Sequence, residues 1–374
     1  MPQRNAGMRV LFDHQVFCWQ LYGGVSRYCV ELVRHLARLD DTEPLVLAPL
    51  FINQHLRELE ATAVAGRYVG FTPTGISWFT YLANRMLAPR RMGRFDPDIV
   101  HETYYAKKPV VGRHHCKTVL TVYDMILERF PDGIPHSSQA TATKARAVER
   151  ADHIICISEQ TRQDLLDICN VDPASVTVVH LGIDAVSAVG LPGAQAVDGP
   201  YLLYVGQRGG HKNFSRLVEA YIHSSALHDE FSLVCFGGPP LAKDETDRLS
   251  LAGIDPGKLV WMKGDDRMLT WLYRDASALI YPSLYEGFGI PPLEAMGQGC
   301  PVVCSTGGSI PEVVGDAGEF FDPYDAGEIA AAIERVVGGS NRASELRVAG
   351  FERLRHFSWE RCAQQTRDAY ASLL

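Results

Sequence analysis

No apolar run in this chain of 374 residues is long enough to span a bilayer, and no secretory leader opens it. Together these predict a cytoplasmic protein. Its nine cysteines are scattered, with no C-x-x-C pair among them. Such an odd, unpatterned set fits a reducing compartment, and Cys300 and Cys304, flanking the apolar PVV, read as small core residues. A basic excess is missing too. Lys+Arg and Asp+Glu balance at 20 each through residue 195, and beyond it stand at 16 against 24, so the second half carries the whole net charge of −8. That argues against a broad nucleic-acid groove. Neither the dinucleotide fingerprint G-x-G-x-x-G nor the phosphate loop G-x-x-x-x-G-K-[ST] occurs. There is no internal repeat and no low-complexity tract.

What the chain does have is centred on 282–301, PSLYEGFGIPPLEAMGQGCP. Glu286 and Glu294 bracket GFGIPPL, whose glycines and paired prolines no regular helix interior accommodates. ALIYPS before it reads as a buried strand over 278–283, and Pro291 and Pro292 suit a first helical turn. The pattern is therefore strand, glycine turn, helix, with Glu294 expected in the first turn, where the macrodipole favours negative charge. Two such carboxylates can accept hydrogen bonds from vicinal hydroxyls. A metal would need further His, Cys or Asp ligands, which the stretch lacks. A glycosidase pair and a plain turn-and-helix charge pair remain as alternatives at this point.

Elsewhere the chain alternates strand and helix. MRVLFD (8–13) leads through Gly23-Gly24 into a helix, a recipe for approaching an anion with backbone amides. PLVLAPLF (44–51), the short strand in FDPDIVHETYY (95–105), TVLTVYD (118–124), ADHIICIS and SVTVVHLGID (175–184) continue the series. His101, Glu102 and Tyr104 fall at one strand's carboxyl end, and Asp124 at another's. Ser158 reads as an N-cap. Asp96-Pro97-Asp98 has the spacing of a metal-binding D-x-D but precedes its strand, so it reads as a turn and no metal is expected. The stretch 76–95, ISWFTYLANRMLAPRRMGRF, reads as an amphipathic helix packed on the sheet with a solvated basic end, or as one resting on an anionic membrane interface. After a small-residue linker (185–200), PYLLYVGQ is a strand, and Arg208, His211, Lys212 and Asn213 gather at the following loop–helix junction, a phosphate-clamp pattern. FSLVCFGG (231–238) offers an apolar floor for a base. Overall this predicts an α/β chain with two doubly wound parallel sheets.

YVGQRGGHKN, the FGG turn and DASALIYPSLYEGFGIPPLEAMGQGCPVVCS with GSIPEVVGDAGEFFDP closely resemble the retaining glycosyltransferases of family 4, across nearly the whole chain. The resemblance implies a GT-B fold, in which two Rossmann-like domains face a cleft. These are expected here at 1–190, for the acceptor, and 191–356, for the donor, with a terminal helix 357–374 crossing back to the first. It implies that Glu286, with the backbone of Gly287, Phe288, Gly289 and Ile290, holds the donor sugar, and that Glu294 holds the ribose. Arg208 and Lys212 would clamp the diphosphate, near Gly23, Gly24 and Gly237. Asp124 joins the catalytic group, and His101, Glu102, Tyr104 and Tyr123 would meet the acceptor.

In one respect the chain departs from the family pattern. Many relatives place a histidine before this aspartate, where Tyr123 stands here, so its role is either missing or taken by Tyr123 or His101.

A narrower resemblance, to bacterial enzymes building O-antigen or exopolysaccharide, implies mannose transfer from GDP-mannose to a glycan or lipid-linked oligosaccharide. No metal or other cofactor is expected, and contact with the inner membrane would run through 76–95. A UDP- or dTDP-sugar donor is the first alternative, and a non-catalytic nucleotide-sugar-binding subunit the second. A sugar epimerase of this fold lacks the E-x7-E context.

Overall fold

The computed structural model describes residues 7–70, 75–109, 116–131, 137–184, 197–339 and 341–374. The chain forms two compact units, Met1–Gly182 with Ser358–Leu374, and Ile183–Phe357. The boundary thus falls at 182/183, ahead of the expected 190, and most of the expected linker (185–196) lies outside the described residues.

In the first unit the strands are β1 (Met8–Phe12), β2 (Thr42–Val46), β3 (Leu50–Phe51), β4 (Arg67–Tyr68), β5 (Ile99–Glu102), β6 (Lys117–Val122), β7 (His153–Cys156) and β8 (Val176–Val178). Six of them form one parallel sheet in the order 2-1-5-6-7-8, and β3 pairs only with β4. The apolar run 44–51 therefore splits in two around Ala48-Pro49, since proline supplies no ladder donor. Buried side chains cover both faces. Leu120, Val122, Val148, Ile154 and Leu165 form one cluster, and Leu11, Leu47, Ala88, Met92 and Val100 another. This continuous burial is why these strands read as apolar runs rather than alternations.

The terminal helix Trp359–Ala371 belongs to this unit. Ser358 caps it, and Trp359 packs toward the rings of Tyr28 and His35. Where Trp359 passes Gly182, a Cβ on the glycine would lie 2.4 Å from the tryptophan's backbone nitrogen, so the chain can approach itself there only without a side chain.

In the second unit the strands are β9 (Tyr201–Val205), β10 (Ser232–Phe236), β11 (Leu259–Met262), β12 (Ala278–Tyr281), β13 (Val302–Ser305) and β14 (Gly318–Phe321), all parallel, in the order 11-10-9-12-13-14. This is the doubly wound order, and the direction in which successive strands are laid down reverses between β9 and β12. Open α/β sheets bind ligands at the carboxyl ends flanking that reversal. The loops leaving β9 and β12 carry Lys212 and Glu286.

Candidate active site

β12 stops at Tyr281, two residues before the expected strand end, and the chain turns through Pro282–Gly289 into the helix Ile290–Gly297. Gly289 sits at φ +107°, a conformation open to glycine and strained for other residues, and Pro291 and Pro292 occupy the first helical turn. Glu294 falls in the second turn rather than the first, so the macrodipole argument made for it loses force. Its Oε2 accepts a hydrogen bond from Tyr273 Oη at 3.1 Å.

The loop from β9 is sewn directly to this turn. Leu284 N donates to His211 O (2.7 Å), and Asn213 Nδ2 donates to Pro282 O (3.0 Å) and Pro323 O (2.7 Å). With both backbones fixed, Lys212 Nζ lies 2.7 Å and 2.9 Å from the two carboxylate oxygens of Glu286. Glu286 is largely buried, while Lys212 keeps 23% of its side chain exposed. Behind the carboxylate, Ser309 Oγ donates to Glu286 O (3.0 Å) and Phe288 O (2.9 Å). Gly308, at φ +56°, brings its own backbone so close that a Cβ would lie 2.7 Å from Glu286 N. Burial and the neighbouring Glu286 carboxylate hold the Tyr281 hydroxyl well above its usual range, so it stays a neutral donor. Gly287 and Phe288 are buried within the turn, and Phe288 meets Phe357 edge to face at 5.7 Å. Gly308 and Ser309 lie outside the residues expected at the site; the Gly-Gly after a strand is visible in the sequence, but nothing local ties it to Glu286.

Arg208 stands apart. Its Nε donates to Glu245 Oε1 (2.8 Å) and its Nη2 to Pro239 O (2.7 Å) and Pro240 O (2.8 Å), with only 5% of the side chain exposed. It staples the loop after β9 to the loop after β10, where Gly237 and Gly238 both take positive φ. Gly237 O accepts from Trp261 Nε1. Of the two cations expected in the clamp, Lys212 is the more accessible and Arg208 is held back by these bonds. A carboxylate 37 residues downstream takes Nε and Nη2, with no local pattern to announce it, while the buried Nη1 has no partner among the described residues.

Three of the expected acceptor residues are also corrected. His101 is buried, with Nδ1 bonded to Tyr370 Oη (2.5 Å) and Nε2 to Thr121 Oγ1 (2.8 Å), and burial pushes its pKa down to about 3. Glu102 is buried, its two oxygens accepting from Nε and Nη2 along one edge of the Arg150 guanidinium. Tyr123 donates to Thr103 O (3.2 Å), and its ring lies edge-on against Tyr28, so it does not stand in for the missing histidine. Tyr104 stays 40% exposed, and Asp124 is half-exposed beside Lys144. Gly23 is extended and caps the helix Gly24–Leu36, and a Cβ on Gly24 would meet nothing within 4 Å. Asp98 accepts from Arg9 N (2.9 Å), the turn role its sequence position suggests.

Two Rossmann-like units, each with its chain reversal flanked by polar loops, define a GT-B architecture. Residues 22–186 match the family model described as Glycosyltransferase Family 4, and residues 193–353 match that of Glycosyl transferases group 1. The chain belongs to the family 4 glycosyltransferases. It is 29% identical to O-antigen chain mannosyltransferase B of Escherichia coli, over 98% of this chain and all of that protein. It is 25% identical to a D-inositol 3-phosphate glycosyltransferase of Nocardioides, over 93% of this chain and 85% of the relative. Among solved structures, Anabaena HepE in complex with UDP and glucose superposes with a TM-score of 0.72 at 16% identity, covering 98% of this chain and all of that one.

Proposed function

We propose that the chain transfers a hexose, mannose from GDP-mannose, to a glycan or lipid-linked oligosaccharide acceptor in surface-polysaccharide synthesis beside the inner membrane, with retention of configuration and without a metal. The observation that carries this reading is the Lys212–Glu286 pair at the reversal of the second sheet. Likeness to an O-antigen mannosyltransferase over its whole length supports the sugar.

A partly exposed ion pair contributes little stability, so it can be exchanged at small cost. When the donor enters, its diphosphate takes Lys212 and its sugar hydroxyls take the Glu286 oxygens. The backbone amides of Phe288 and Gly289 complete the sugar's cradle, and Glu294 receives the ribose. As the bond from the anomeric carbon to the phosphate oxygen breaks, charge gathers on the leaving diphosphate, and Lys212 offsets it in place of reorganising water. The acceptor hydroxyl forms its new bond on the same face and gives its proton to the departing phosphate oxygen. The substrate's own phosphate acts as base, so no protein base is required.

Thermal shift against a panel of nucleoside diphosphates and their sugars tests the donor. A ligand at a hundredfold excess over its Kd stabilises by about 2.7 kcal/mol. Stabilisation by GDP and GDP-mannose alone is expected. Stabilisation by UDP or dTDP keeps the chemistry and changes the donor, and stabilisation by none of them removes the transferase reading.

A further inference from the structure

The helix Ile76–Phe95 is seated in the first unit the opposite way round from an ordinary amphipathic helix. The side it buries carries Thr80, Asn84, Ala88 and Met92. Trp78, Phe79 and Met86 point outward, at 61%, 60% and 68% exposure. At about 100° per residue, Trp78, Leu82 and Met86 form one outward stripe, bordered by Arg85 on one side and Arg90 on the other. The rotation is locked. Asn84 accepts from Leu50 N (2.8 Å) and donates to Leu50 O (2.7 Å), closing a two-bond ring onto β3. Turning the helix to bury Trp78 would break both bonds and bring Met92 out of the core. The apolar surface also continues beyond the helix, where Trp19 lies tilted against Tyr81 at 5.1 Å and is itself half-exposed.

A large exposed apolar stripe on an otherwise well-packed unit marks a binding surface. Its charge says what covers it. The helix carries Arg85, Arg90, Arg91 and Arg94 and no Asp or Glu. A second copy docking by the same face would set arginines against arginines. No helix among the described residues is long and apolar enough to cross a membrane, so this one would lie in the plane of an interface.

We propose that this face docks on an anionic phospholipid surface, with Trp78, Leu82, Met86 and Trp19 entering the headgroup–acyl boundary and the flanking arginines holding lipid phosphates. The inference rests on the lipid-linked acceptor reading for its purpose. For its chemistry it rests on this helix and the neighbouring Trp19 alone.

Flotation of the full chain with vesicles tests it, using phosphatidylcholine alone and phosphatidylcholine with phosphatidylglycerol. The wild type is expected to float with the anionic vesicles, more weakly at high salt, and to stay behind with the neutral ones. A triple Trp78→Ser, Leu82→Ser, Met86→Ser variant should lose flotation while keeping its Tm, because those side chains pack little. Arg90→Glu, Arg91→Glu, Arg94→Glu should cut partitioning by about fivefold or more per arginine. Both variants should keep wild-type turnover of a water-soluble acceptor. No wild-type flotation, equal flotation with neutral vesicles, or unchanged flotation of the serine variant overturns the proposal. A concentration-dependent dimer that the serine variant abolishes also overturns it, assigning the face to a second copy. If flotation behaves as expected but acceptors held in vesicles gain no advantage over soluble ones, the acceptor reading falls and the surface stands.

Discussion

The two units solve the same topological problem and fill its outcome differently. Each parallel sheet reverses its strand order at one place, between β1 and β5 in the first and between β9 and β12 in the second. The loops flanking each reversal bring a carboxylate there. In the first unit Asp13 is fully buried and satisfied from within. Its Oδ1 accepts from Gln15 N (3.0 Å), Thr103 N (3.3 Å) and Thr103 Oγ1 (2.6 Å), and its Oδ2 from Gln15 Nε2 (2.7 Å). In the second unit Glu286 meets a lysine that is itself part-exposed. A carboxylate ringed by its own chain's short, fixed donors holds loops together. One paired with a long, movable cation can trade it for a ligand. The same position on the same topology thus serves stability in one unit and chemistry in the other.

The contrast breaks most visibly if both carboxylates are removed. Glu286→Ala should lower turnover by about a thousandfold while the thermal shift with nucleoside diphosphate persists. A comparable loss of nucleotide binding would refute its role at the sugar. Asp13→Ala should leave four donors unpaired in a buried site and destabilise the first unit by about 3 kcal/mol, read by urea unfolding.

Acid sharpens the comparison. His14 and His101 lie buried in the first unit, their pKa values depressed by burial to about 4 and about 3. The unfolded chain takes up these protons near pH 6.5 and the folded chain only below 4, so the associated stability is full above pH 6.5 and lost as pH falls toward those values. Calorimetry at decreasing pH should show the first unit unfolding ahead of the second. Neither ring nitrogen of His14 has a hydrogen-bond partner among the described residues. His14→Phe should therefore flatten this acid limb by about 3 kcal/mol with little loss at neutral pH.

The two cations of the second unit should separate in the same way. Lys212→Ala should weaken nucleoside diphosphate binding by roughly tenfold or more, since it removes a charge-assisted contact. Arg208→Lys should lower Tm through the lost staple and leave nucleotide affinity near wild type. Gly308→Ala, whose Cβ would press on the Glu286 backbone, should cost about 1–3 kcal/mol, seen as a fall in kcat together with a lower Tm.

Much of this was legible in the chain. The alternation of apolar runs with helical periods announced two parallel sheets, and the glycine turn and paired prolines after ALIYPS placed Glu286 at a strand's carboxyl end. Arg208 and His101 were misread for one reason. Each has a polar partner distant in sequence, Glu245 for one and Tyr370 of the terminal helix for the other, and pattern alone cannot distinguish a cation or imidazole facing a ligand from one held by another part of the chain. The helix 76–95 forms over the expected residues, but periodicity gives a stripe without saying which side faces inward, and the Asn84 bonds to Leu50 decided that.

The sequence by itself determined the elements, their order and the two loops in which chemistry could sit, because strand burial, glycine conformations and proline geometry act over a few residues. Only the tertiary structure decided which charged groups in those loops remain available. That depends on hydrogen-bond partners tens to hundreds of residues away, and a buried polar group is held by whichever partner the fold brings within reach.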